Sequence, residues 1–161
     1  MRTFPLALIP VMKTKSFLRH LAVLLFAFAF SVSAQAAPKN VDNTGKALQG
    51  YDPVAFFTDK KPVKGQPTIH STVGGAKYYF ATEEHKKMFD KSPSKYEPAY
   101  GGWCAWGVVK GDKVKIDPNA FQIANGRLLL QYNNSVRNTF NKDIQGNVKK
   151  ADMNWPEVSK K

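Results

Sequence analysis

Thr68-Ile69-His70-Ser71-Thr72-Val73, then Gly74-Gly75, then Ala76-Lys77-Tyr78-Tyr79-Phe80 is the stretch that decides the fold class. Two runs rich in β-branched and aromatic residues flank a Gly-Gly pair, and this pattern predicts a β-hairpin closed by a two-residue turn.

Downstream, Thr82 is placed to cap a helix whose first turn carries Glu83 and Glu84, where the helix dipole favours negative charge. His85, Met88 and Phe89 share one face of that helix at the i, i+3, i+4 spacing, and Ser92-Pro93 ends it. A linking segment with Tyr96, Pro98 and Tyr100 leads to Gly101-Gly102 and Cys104, and a helix start is expected just after the glycines.

Val114-Lys115-Ile116 and Phe121-Gln122-Ile123 alternate as half-buried strands do, with Asp117-Pro118-Asn119 between them. Asn125-Gly126 is a second hairpin turn, leading into Arg127–Tyr132. Asn134 or Ser135 caps a final amphipathic helix with Val136, Phe140 and Ile144 on its inner face, and Trp155 packs the tail onto the body.

Upstream, Val54-Ala55-Phe56-Phe57 is a short apolar run stopped by Thr58-Asp59-Lys60-Lys61-Pro62, consistent with a buried strand and a turn. Residues 37–47 are polar and without periodicity, and are expected to form a flexible leader. No internal repeat stands out in the residues. The order of elements predicts a small single α+β domain over residues 48–157, with β-hairpins, two main helices and a basic tail at 158–161.

The first 36 residues read as a signal peptide. Lys13, Lys15 and Arg19 precede the apolar run Leu21–Phe30, and small residues follow to Ser33-Ala34-Gln35-Ala36. The apolar run is short of the about 20 residues a spanning helix takes, so cleavage after Ala36 and no transmembrane anchor thereafter are expected. Met12 opens a signal of ordinary length and is an alternative start to Met1. Export, to a periplasm or to the outside, is the expected localisation.

The chain has 161 residues and a formal net charge of +12, with 24 Lys and Arg against 12 Asp and Glu. The lysines come as dispersed doublets (Lys60/Lys61, Lys86/Lys87, Lys149/Lys150, Lys160/Lys161), a pattern that usually means a solvated surface. Weak attraction to anionic lipid or to an envelope polymer is consistent with that charge. Nucleic acid is not an expected partner, because no recognised binding motif is present.

Cys104 is the only cysteine, so an exported chain of this kind has no internal disulfide. Its thiol is a buried core atom, a binding or redox group, or half of a bond to another molecule. No second cysteine is available to resolve a mixed disulfide, which excludes a thioredoxin-type dithiol mechanism.

A soft-metal site assembled from Cys104, His85, Met88 and His70 suits Cu(I), which favours thiolate and thioether ligands. His85 and Met88 also belong on a face that must build core, and a histidine on a strand is more often a hydrogen-bonded residue than a ligand. No His-x-x-x-His or His-Glu-x-x-His pattern supports a zinc hydrolase, and no Gly-x-Ser-x-Gly elbow supports a serine nucleophile. Asp52, Asp117, Asp143 and Asp152 stand in turn-like or cap-like contexts. No residue is assigned a catalytic role.

Gly50-Tyr51-Asp52-Pro53-Val54, Tyr78-Tyr79-Phe80, Phe89, Ser92-Pro93 and Tyr96 resemble the YHS domain. Tyr100-Gly101-Gly102-Trp103-Cys104-Ala105, Asp117-Pro118 and Ala151–Pro156 resemble the longer exported YHS-domain proteins, a group that includes selenoproteins. The resemblance implies a small metal-binding module with one cysteine after Asp-Pro-Val and a Cys-Ser-x-x-Cys after the Tyr-Phe run. Those positions are Ala55, Ala81-Thr82 and His85 in this chain, so the implied thiolates are replaced except for a histidine, and Cys104 would have to supply the soft ligand.

Three readings of function follow: a non-catalytic YHS-like domain that binds a copper-like metal through Cys104 and His85, a thiol redox protein working through Cys104, and an interaction domain whose cysteine is core.

Overall fold

The computed structural model describes residues 38–161, and the signal peptide expected at 1–36 lies outside the described residues. Asp52 sets the first element. Its Oδ1 accepts the backbone N–H of Val54 at 2.8 Å and of Ala55 at 3.3 Å, and this cap starts the short helix α1, Ala55–Thr58. The run Val54–Phe57 is therefore helical and not the expected strand, because a four-residue apolar run carries too little periodicity to separate the two and the cap decides.

The predicted first hairpin forms. Strands β1, Gln66–Val73, and β2, Ala76–Phe80, pair antiparallel around Gly74-Gly75, both of which adopt positive φ. Helix α2, Glu83–Lys91, follows with Thr82 Oγ1 accepting the N–H of His85, and α3, Pro93–Tyr96, closes this part. Phe89 of α2 is fully buried against Tyr78 and Phe80, with ring centroids 4.9 and 5.2 Å away.

The chain then runs through the same order again. A short helix α4, Ala105–Val109, begins after Cys104. Strands β3, Asp117–Ala124, and β4, Arg127–Gln131, pair antiparallel around Asn125-Gly126. Helix α5, Asn134–Asn141, is capped by Asn133 and not by Asn134 or Ser135 as expected, because Asn133 Oδ1 accepts the Val136 N–H, and α6, Ile144–Val158, has Asp143 as its cap. The architecture is α+β, with two separate two-stranded antiparallel sheets.

The two halves agree in detail. Each opens on three left-handed residues: Leu48, Gln49 and Gly50 have φ of 53°, 54° and 81°, and Tyr100, Gly101 and Gly102 have 54°, 59° and 83°. In each, the residue that starts the short helix donates its N–H to a valine carbonyl before the hairpin: Asp52 to Val63 at 2.9 Å and Cys104 to Val114 at 3.0 Å.

Each hairpin has strands of eight and five residues and one irregularity of register, between Gln66 and His70 and between Asp117 and Phe121. Phe89 and Phe140 are fully buried at matching places in α2 and α5. Matched across the halves, Gly50 and Gly102, Val63 and Val114, Lys64 and Lys115, Pro67 and Pro118, Gly75 and Gly126, Phe89 and Phe140, and Lys91 and Lys142 are identical, but most pairs differ in size or polarity. The repeat is thus a property of the backbone that the residues hardly display.

The halves share one core, and a second core belongs to the second half alone. Val54, Phe56, Tyr78, Phe80 and Phe89 pack with Cys104, Ile116, Leu128 and Leu130, and Phe56 meets Phe121 with ring centroids 4.8 Å apart. Tyr100, Val108, Leu129, Phe140, Ala151 and Val158 form the other cluster, covered by α6. Trp155 packs against Tyr100 as expected, at 5.9 Å between centroids.

Three further expectations change. Val114-Lys115-Ile116 is not a strand: the Cys104 N–H takes the Val114 carbonyl, and Asp117-Pro118-Asn119, expected as the break, lies within β3 at its bulge. The final helix is two, because the Asp143 carboxylate accepts the N–H of Gly146 and starts α6 afresh. Residues 38–47, expected as a flexible leader, are hydrogen-bonded to the body. Asn40 bonds the carbonyls of Gly101 and Gly102 at 2.8 and 3.0 Å, and Ala47 donates to Lys77 at 2.9 Å.

Candidate functional site

Cys104 is 1 % exposed. Its backbone precedes α4, so its side chain reaches the open first turn of that helix, and Sγ accepts the Gly107 N–H at 3.5 Å. The thiol in turn donates to Gln131 Oε1 at 3.4 Å, and the same oxygen accepts the Trp106 N–H at 3.0 Å. Gln131, on β4, is fully buried. The sulfur is therefore a link between the start of α4 and the end of β4. Attack by a thiol needs an accessible thiolate, and this residue is almost wholly enclosed.

His85 sits at the start of α2 with its side chain 14 % exposed. Its Nδ1 lies 2.7 Å from Oδ2 of Asp52, whose side chain is fully buried. That same Oδ2 accepts the Ala81 N–H at 2.8 Å, while Oδ1 accepts the N–H groups of Val54 and Ala55. A carboxylate surrounded by backbone donors acts as acceptor, so Nδ1 of His85 carries the proton and Nε2 is left toward Thr58 Oγ1, at 3.5 Å, and Asp59, at 3.9 Å. Ala55, Ala81 and His85, the three positions the YHS resemblance makes into ligands, all converge on this one carboxylate.

Met88 is half-buried in the first core, and His70 is exposed on β1, where its Nδ1 lies 2.9 Å from the Pro67 carbonyl. The hydrogen-bond partners of Cys104 and of His85 have no residue in common. Among the described residues, no group of three or more His, Cys, Asp and Glu side chains is placed to hold a metal ion.

A soft metal fits this arrangement poorly. The sulfur is engaged by Gly107 and Gln131 deep in the core, and the one nitrogen of His85 that is free to ligate has a hydroxyl and a carboxylate beside it, which are hard donors. A cleft of about 490 Å³ lies elsewhere, between Val41, Lys46, Leu48, Lys115 and Ile116, and none of the four candidate residues lines it.

Asp52 and Gln131 are the site residues that sequence reasoning passed over. Asp52 was legible as a cap, but not as the anchor of His85, 33 positions away. Gln131 carried one signal, a polar side chain directly after Leu128-Leu129-Leu130 in a buried strand. Among the described residues, no helix is long and apolar enough to cross a membrane. Comparison of the chain with protein-family models, with curated proteins and with solved structures finds no match.

Proposed function

We propose that this chain is an exported, non-catalytic binding domain with a YHS-like core, in which Cys104 is a structural residue. The observation that carries the reading is the enclosure of Cys104 Sγ, 1 % exposed as a residue, between the Gly107 N–H and Gln131 Oε1. The convergence of Ala55, Ala81 and His85 on Asp52 supports the YHS-like part: where the resemblance implies ligands around an open centre, this chain has an internal carboxylate with its donors satisfied. The N-terminal pattern of basic, apolar and small residues supports export.

Alkylation tests the reading. In the native protein, Cys104 is expected to resist a water-soluble maleimide and to react fully once denaturant is added. Fast labelling of the folded protein would return the thiol redox reading to first place. A copper-binding role through Cys104 and His85 is tested by anaerobic Cu(I) titration with native mass spectrometry: a stoichiometric adduct lost in Cys104→Ser would replace the structural reading.

A further inference from the structure

Each hairpin lays one face on its own helix, and the fate of the other face differs between the halves. In the second hairpin that other face is Phe121, Ile123, Leu128 and Leu130, and it packs in the core shared with the first half. The matching residues of the first hairpin are His70, Thr72, Lys77 and Tyr79. His70 and Thr72 are exposed, while Lys77 and Tyr79 are half-buried. Apolar side chains are thus replaced by aromatic, cationic and hydroxyl groups where the fold supplies no cover.

The surroundings make this a shaped face. The His70 ring stands edge-on to Tyr79 at 6.3 Å between centroids. Gly65 and Gly50 let the chain pass close to Tyr79. A Cβ at Gly65 would lie 2.6 Å from Tyr79 Cβ, and one at Gly50 would lie 3.5 Å from the Tyr79 ring and 3.4 Å from the Lys46 stem. Next to Gly65 and Gly50 in the chain, Lys64 Nζ sits 3.9 Å over the Tyr51 ring. Lys46 pairs with Asp42 at 3.1 Å and Lys64 Nζ donates to the Gln49 carbonyl at 3.0 Å, whereas Lys77, bridged to Lys46 through the backbone, takes part in none of the described ion pairs and is the cation left for a ligand.

We propose that this face, with Tyr79 and His70 as its ring platform and Lys46, Lys64 and Lys77 as its cations, binds an acidic polysaccharide. A uronic-acid chain presents both features the face can use. The C–H faces of its sugar rings pack on aromatic side chains, and its regularly spaced carboxylates pair with the lysines. The chain's 24 Lys and Arg against 12 Asp and Glu, of which only Arg2, Lys13, Lys15 and Arg19 fall in the expected signal peptide, leave a positive surplus that attracts such a polymer from a distance. The inference uses residues apart from Cys104 and stands independently of the reading given to the thiol.

Titration calorimetry of the whole protein with oligogalacturonate at low salt tests it, beside a neutral malto-oligosaccharide, polyglutamate and oligothymidylate of similar length. The wild type is expected to bind oligogalacturonate at least about tenfold more tightly than each comparator. Tyr79→Ala and Lys77→Glu are each expected to weaken it by about tenfold, and added salt to weaken it further. The half-buried Lys77 side chain takes part in no described hydrogen bond or ion pair, so Lys77→Glu remains decisive if Tyr79→Ala fails to fold by circular dichroism. No binding of oligogalacturonate by the wild type, equal binding of polyglutamate or oligothymidylate, or unchanged affinity in Lys77→Glu would each overturn the proposal.

Discussion

Asp52 and Cys104 hold the same place in the two halves of the fold. Each donates its N–H to the carbonyl of a valine ahead of the hairpin, Val63 and Val114, and each side chain accepts the N–H three residues on, of Ala55 and of Gly107. Each also reaches the end of its hairpin, Asp52 at the Ala81 N–H and Cys104 at Gln131. A carboxylate and a thiol thus do one structural task, tying a short helix to the second strand of a hairpin, and the equivalence gives Cys104 a role that needs no reactivity.

Cys104→Ala removes the acceptor for Gly107 and a donor to Gln131 in a buried site, and is expected to lower stability by about 1–3 kcal/mol. Cys104→Ser keeps a donor and an acceptor and should lose less. Urea unfolding of both variants, compared at equal m-value, measures the difference. Equal stability of Cys104→Ala and wild type would remove the linking role.

Asp52→Ala is expected to be the more damaging of the matched pair. It strands the backbone donors of Val54, Ala55 and Ala81 together with Nδ1 of His85, all around a side chain with no solvent exposure. A loss of about 3–5 kcal/mol is expected, with Asp52→Asn intermediate because its one carbonyl oxygen satisfies part of the set. Thermal melts followed by circular dichroism give the order.

Phe89→Ala and Phe140→Ala empty matching positions in the two halves, each fully buried. Each is expected to cost about 3–5 kcal/mol and to leave one cooperative transition, since Phe89 packs in the core to which both halves contribute. Two separated transitions in either variant would show that the halves unfold independently.

Stability should fall at alkaline pH. Burial raises the Tyr78 hydroxyl well above its ordinary value of 10.0, and the nearby Glu97 charge adds to the effect. Burial likewise raises Tyr100, helped by its hydrogen bond to Asp152 and opposed by the Arg127 charge. The folded state therefore favours the neutral phenols. Their contribution is complete below the unfolded value near 10.0 and is lost progressively as pH rises above it. Urea midpoints should drop as pH rises from about 10 to about 12, and Tyr78→Phe should reduce that drop.

The strongest sequence signals were local ones. Gly74-Gly75 and Asn125-Gly126 impose backbone angles that few residues tolerate, so both hairpins could be read without knowing what they pack on. Thr82 with Glu83 and Glu84 named the start of α2 by the same local chemistry. The residues of Val54–Phe57 do not by themselves separate strand from helix, because the conformation depends on Asp52 closing a cap, and the break at Asp143 is masked by an amphipathic pattern that continues across it.

Local chain chemistry by itself determined the α+β class, the two hairpin turns, the capped helix before Ser92-Pro93 and the presence of a single thiol, because each depends on residues a few positions apart. Only the tertiary structure decided that the chain repeats one backbone unit, that Asp52 and Cys104 are counterparts within it, and that the thiol is enclosed while His70, Lys77 and Tyr79 are left at the surface. Those outcomes depend on contacts between residues about 30 to 50 positions apart, and on positions that kept their place in the fold while exchanging carboxylate for thiol and phenylalanine for histidine; a backbone pattern can persist through such exchanges because burial and hydrogen bonding constrain geometry more tightly than they constrain residue type.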